Sequence, residues 1–186
     1  MRSRILKEEI GFTGEQLHSL YAYDNFGVVG DSIIAFTGPC DISIKGIVDL
    51  EDAKAGKRIY VPSMQHFIAE HFDFDLEKGI LRQYLLVDIV KDILNEKLGK
   101  LSVKRLEGDL FVNDAKLGMS AATASPVSSL IHVGINIVAP TDTNVKHKGL
   151  IDYNIDPAVI APEIVDRYTK EIEKINLTRC KTRWVE

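Results

Sequence analysis

Long apolar runs, cysteine and tryptophan are what this chain has least of. No apolar run approaches the roughly 20 residues that cross a bilayer. The opening stretch MRSRILKEEIG is charged and lacks the apolar core of a signal peptide. Both absences argue for a cytoplasmic protein with no membrane partner. The two cysteines, Cys40 and Cys180, stand far apart and match no metal-ligand spacing, and nothing about them signals an oxidising compartment. Basic blocks are missing too. The net charge is −4, whereas a dedicated nucleic-acid binder shows a basic patch. Nucleic acid is therefore not an expected partner, and the basic RCKTRW segment near the C-terminus reads as a solvated tail.

What remains is an ordinary globular balance, with 45% hydrophobic and 27% charged residues in 186. That length supports a real core, and without repeat, linker or composition break it reads as a single domain, 1–186. Ile5 to Ile10 reads as a first strand or short arm. Thr13 and Gln16 have the spacing of a capping box, predicting a helix to about Tyr23. Asp31 to Phe36 is an apolar strand, Thr37 to Cys40 a sharp turn, Asp41 to Val48 a half-buried strand, and residues 50–57 a charged surface segment. A short strand, Arg58 to Val61, leads into PSMQHFIAEHF, read as a short helix capped by Ser63. A longer helix spans Leu76 to Lys97, with Gly99 at its C-cap. Residues 139–156 are polar and irregular, and Pro157 opens a last helix to about Lys174. The elements show no repeating βα unit, so the fold class is α+β with a mixed, mostly antiparallel sheet packed with helices.

The chain is organised around Arg105 to Val138. Leu110 to Val112, Ala115 to Ala124 and Ser128 to Val138 read as three strands. Asn113-Asp114, which tolerates left-handed backbone, and Ser125-Pro126 form the two turns. The middle strand is almost all small: Gly118, Ser120, Ala121, Ala122, Thr123, Ala124. Small residues inside a strand mark a place where a ligand or another backbone comes close. Lys116 heads that run and suits a carboxylate or phosphate. The plainer reading is a solvated turn lysine beside a tightly packed helix.

These residues resemble the core of the biotin and lipoate protein ligases. The chain is identified as a member of a small, mostly archaeal branch of that superfamily. The helix Ile80 to Leu98 precedes Asp109, which matches the aspartate ending the ligases' Lys-Trp-Pro-Asn-Asp strand. Lys116-Leu117-Gly118 matches their hairpin lysine motif, and Gly134-Ile135-Asn136-Ile137 their Gly-Ile-Asn-Val strand end. The resemblance covers Ile80 to Val138 and implies a biotin/lipoate ligase-like catalytic core acting on a small carboxylic acid.

By that resemblance Lys116 is the catalytic residue, contacting the acid's carboxylate and a nucleotide α-phosphate. ATP and Mg²⁺ are the implied cofactors if adenylation is retained, and a protein lysine the acceptor. Arg105 and Asp109 are the expected nucleotide-binding residues, with Asp109 either sharing Mg²⁺ or capping a turn. Gly118, Ser120, His132, Gly134 and Asn136 are the expected substrate-binding residues. Asn136 either reads a ligand or bonds to backbone. His132 lies on the Gly134 and Asn136 side of its strand by alternation.

Three features depart from the ligase pattern. Leu106-Glu107-Gly108 replaces Trp-Pro-Asn, Arg105 replaces lysine, and residues 1–62 hold no counterpart of the arginine- and glycine-rich loop. The competing readings are therefore a binding module that has lost its nucleotide site, and an ATP-independent transferase using Cys40. His66 and His71 resemble the histidine pair of a zinc helix, but five residues place them about 140° apart around a helix, so no metal site is expected. The strand edges of the meander suit a homodimer.

Overall fold

The structure is a computed structural model that describes residues 1–56, 58–100, 102–141 and 143–185. Lys57, at the end of the expected surface segment, and Asp142, in the irregular stretch, lie outside the described residues. Seven strands among the described residues form one sheet: β1 (Arg2–Glu9), β2 (Ser32–Ile42), β3 (Ile59–His71), β4 (Val103–Leu106), β5 (Asp109–Val112), β6 (Ala115–Ala124) and β7 (Ser129–Val138). Their order is β1-β2-β3-β7-β6-β5-β4. β1 pairs parallel with β2, and every other pairing within the sheet is antiparallel. This is the mixed, mostly antiparallel α+β architecture that the element pattern predicts.

Helices accompany the sheet: α1 (Tyr21–Phe26), α2 (Leu50–Ala55), α3 (Leu76–Leu98) and α4 (Pro157–Lys181). α3 and α4 cover one face, where Ile33, Phe67, Ile131, Val133 and Ile135 meet Leu86, Ile93, Ile164 and Tyr168. The long apolar stripes of both helices bury here. Asp75 caps α3 by accepting from the Lys78 amide, and Gly99 ends it at φ 64° as its position predicts. Asp156 caps α4, with Pro157 in its first turn, and the helix runs on past the expected end to Lys181. The opposite face buries Phe12, Tyr21, Ile34, Phe36, Met64 and Ile68 under the segment that leads from β1 into β2.

Four readings of the sequence are corrected. PSMQHFIAEHF is not a helix but most of β3, an interior strand of the sheet, fully buried from Met64 to His71. A strand covered on both faces shows no polar alternation, so an apolar run with two histidines and a glutamate looks the same as a buried helix turn. Here His66 lies on the Phe36 side and His71 on the α4 side, against Tyr168. Likewise no helix follows Thr13. The Thr13 amide does bond to Gln16 Oε1 at 3.0 Å, but helical structure waits for the six-residue α1. The expected Thr37–Cys40 turn is instead continuous strand in β2, opposite a bulge in β3, and Asp41–Val48 gives way to a 3₁₀ turn at Ile44–Gly46.

Candidate functional site

Register decides which residues can form a site. Asn113 takes φ 52° in the β5–β6 turn, as the turn pair predicts. Beyond it the register slips. Phe111 stands opposite Lys116 but Leu110 stands opposite Gly118, leaving Leu117 as an extra residue. Leu117 packs into the helix-side core, and Gly118 pairs with helix-side Ile135. The bulge therefore reverses the alternation of β6. Lys116 shares the open face with Met119 and Ala121, which pair with Gly134 and His132.

On that face lies a cavity of about 360 Å³, a volume suited to a small organic ligand. Phe12, Leu17, Ile42 and Val61 form apolar walls, Met119 and Ala121 the small-residue side, and His132 and Asn136 part of the floor. Lys116, Asp109 and His147 cluster at the polar end.

Lys116 Nζ lies 2.5 Å from Asp109 Oδ2, with both side chains roughly one-third exposed. Burial pushes the Asp109 carboxyl above its ordinary range, against the pull of Lys116. The Lys116 backbone is held on the side away from β5 by the 146–148 segment. Its amide donates to the Lys146 carbonyl at 2.8 Å, and its carbonyl accepts from the Lys148 amide at 3.0 Å. Asn136, 2% exposed, donates from Nδ2 to the carbonyls of Lys148 (3.1 Å) and Lys116 (3.4 Å). Its amide thus braces backbone, the second of the two expected roles.

His132 is 2% exposed, stacks on Phe12 at 3.8 Å between ring centroids, and places Nε2 3.0 Å from His66 Nδ1. Burial drives its pKa well below the ordinary imidazole value.

The remaining expected residues take other parts. Ser120 borders the cavity but turns its hydroxyl toward α3, where Gln83 donates to it at 2.7 Å and the hydroxyl donates to the Gly108 carbonyl at 2.5 Å. Gly134 does not line the cavity; the Met64 sulfur occupies the space a Cβ would take. Gly118 reaches the cavity with its backbone and allows close approach of β7, since a Cβ would fall 2.5 Å from the Gly134 carbonyl oxygen. Arg105 points to the helix side. Its Nε donates to Asp88 at 3.1 Å and its guanidinium lies 4.5 Å from the Tyr84 ring centroid, so it is not among the cavity residues.

Three contributors were not legible in the sequence. Phe12 arrives from the β1–β2 connection, and His66 from the strand read as a helix. His147 faces Lys116 through an isolated bridge, and its Nδ1 is buried without a partner among the described residues. Burial first and Lys116 second lower the His147 pKa. Asp49 and Asp52 join Asp109 at the cavity, against Lys116 and an Arg58 already paired with Asp41. Among the described residues no group of three or more His, Cys, Asp or Glu is arranged to hold a metal ion.

A family model described as "Domain of unknown function (DUF366)" matches residues 1–183. An uncharacterised protein of Methanocaldococcus jannaschii is 36% identical over 183 residues, covering 95% of this chain and 82% of its own. A solved structure, a protein of unknown function from Pyrococcus horikoshi, superposes with TM-score 0.93 at 34% identity, covering 100% of this chain and 99% of that one. At lower identity the fold is that of the ligases. The biotin protein ligase from Aquifex aeolicus in complex with biotin and ATP gives TM-score 0.61 at 11% identity, covering 92% of this chain and 71% of that one. A lipoate-protein ligase A bound with ATP gives 0.55 at 15%, covering 93% and 86%.

Proposed function

The chain belongs to the DUF366 family, and from that premise we propose that it binds a small carboxylic acid, of the lipoate, octanoate or biotin kind, and activates it for transfer. The observation that carries this reading is Lys116. A bulge turns it into a cavity that runs from a polar end to apolar walls at Phe12, Leu17, Ile42 and Val61, and the fold around it is one whose solved ligase members hold biotin, lipoate or ATP. A cation at the end of an apolar slot recognises one carboxylate and leaves the rest of the acid to hydrophobic burial. The raised pKa of Asp109 makes it the weaker partner, so an incoming carboxylate displaces it from Lys116.

Donor chemistry at the polar end also fits a magnesium-bound nucleotide, with Lys116 for a phosphate and Asp109 for the metal. Bound there, ATP would supply the leaving group that turns the carboxyl into an acyl-adenylate. Lys116 would stabilise charge building on the phosphate oxygens, and a protein lysine would accept the acyl group. Arg105 is left out of this site because it is committed to Asp88. A homodimer would form through β4, the outer strand of the meander.

A second reading is a binding module without a nucleotide site. The carboxylates of Asp49, Asp52 and Asp109 crowd the end where phosphates would lie, and this favours it. ATP–pyrophosphate exchange with lipoate, octanoate and biotin, comparing wild type with Lys116→Ala, separates the two. Acid-dependent exchange that disappears in the variant supports adenylation. Acid binding without exchange supports the module.

A further inference from the structure

The buried histidine pair at the cavity floor has its protons assigned by geometry. His66 Nε2 lies 3.2 Å from the Gly38 carbonyl oxygen, which can only accept, so Nε2 carries the proton. A neutral imidazole carries one, so His66 Nδ1 is a lone pair. That lone pair lies 3.0 Å from His132 Nε2, which must therefore be the N–H. The remaining nitrogen, His132 Nδ1, is then a bare acceptor. Neither ring touches a carboxylate among the described residues, and desolvation keeps both neutral, with His66 pushed down to about 4.

His132 lines the cavity. Its Nδ1 takes no hydrogen bond from any described residue, the ring's one partner being His66. Phe12 covers one face of the ring, and its Cε1 edge abuts Gly134. Asn136 grips the Lys116 backbone carbonyl, while the Lys116 ammonium reaches Asp109 on β5, so the acceptor on β7 and the cation meet the same cavity from different strands.

We propose that the ligand is a carboxylic acid carrying, apart from its carboxyl, a hydrogen-bond donor, an N–H or O–H group, and that His132 Nδ1 receives it. This rests on the reading of Lys116 as the carboxylate partner. An acid ending in bare hydrocarbon strands a desolvated acceptor, and discrimination against such a ligand is large when the site's own polar group is left unpaired.

The test is calorimetric titration of the wild-type protein with matched pairs from a length series: each ω-hydroxy fatty acid against its ω-methoxy counterpart. The hydroxy acid binds about tenfold tighter at the fitting length, as expected for one lost buried hydrogen bond. His132→Phe abolishes the preference. Histidine ¹⁵N NMR of the wild type adds a readout independent of that variant's folding. His132 Nδ1 shows the lone-pair shift in the free protein and moves upfield with the hydroxy acid alone. Equal binding of both acids at every length, or a proton on Nδ1 in the free protein, overturns the proposal. If binding is equal but lost in Lys116→Ala, the carboxylate reading survives and the donor reading fails. If neither acid binds, both fail.

Discussion

Lys116 Nζ sits 2.5 Å from Asp109 Oδ2, so the cation that would meet a ligand in this cavity is held by a carboxylate that burial has made reluctant to ionise. The two substitutions should therefore act in opposite directions on simple acid binding. Lys116→Ala should weaken octanoate binding about tenfold or more, because a charged hydrogen bond is lost. Asp109→Asn removes the competitor and should tighten it a few-fold, while lowering any magnesium-dependent exchange. Calorimetry and exchange assays on the same preparations read both, and weaker octanoate binding in Asp109→Asn would refute the competition.

Asn136→Asp should be worse than Asn136→Ala. The amide donates to two carbonyl oxygens, and a carboxylate there would face both with no proton to give. Alanine should cost about 1–3 kcal/mol in urea unfolding and also weaken acid binding, because the clasp on the Lys116 backbone loosens.

Gly134→Ala should destabilise by about 1–3 kcal/mol through overlap with the Met64 sulfur. Met64→Ala in the same chain should recover part of that loss. A double-mutant cycle in urea measures the coupling, and strict additivity would show that the glycine serves something else.

The His66–His132 pair should make the protein acid-sensitive. Both folded pKa values lie below the unfolded one, so the unfolded chain binds more protons between about pH 6.5 and 4. Their contribution is present above that window and is lost as pH falls through it. His66 alone accounts for about 3 kcal/mol over the window, to order of magnitude. Urea midpoints at pH 7 and pH 4.5 test this, with His66→Gln expected to flatten the difference.

Cys40 is fully buried and its thiol is pushed up to about 12, chiefly by desolvation. Iodoacetamide at neutral pH should label Cys180, which is exposed, and leave Cys40 intact until the protein unfolds. Mass spectrometry reads this directly. Labelling of native Cys40 would revive an ATP-independent transferase.

Much of the architecture lay in local pattern. The stripe of α3 and its Gly99 cap, the Pro157 start of α4, the Asn113 turn and the small-residue strand β6 are set by residues near one another in the chain. So is the lysine at the head of that strand. Their physics is helix periodicity, capping and left-handed backbone, all readable within a few positions. Everything that depends on what covers a residue was hidden. PSMQHFIAEHF became an interior strand because neighbours bury it on both faces. Ser120 and Arg105 turned to α3, and His147 came to Lys116 across the cavity rim. The phase of β6 was reversed by one bulged residue, Leu117, whose presence follows from pairing with β5 and from no pattern in its own strand. Local sequence determined which elements form and where the cation sits. Only the tertiary pairing decided which face of each strand meets the ligand, because a strand's side-chain period is two and a single-residue slip exchanges its faces.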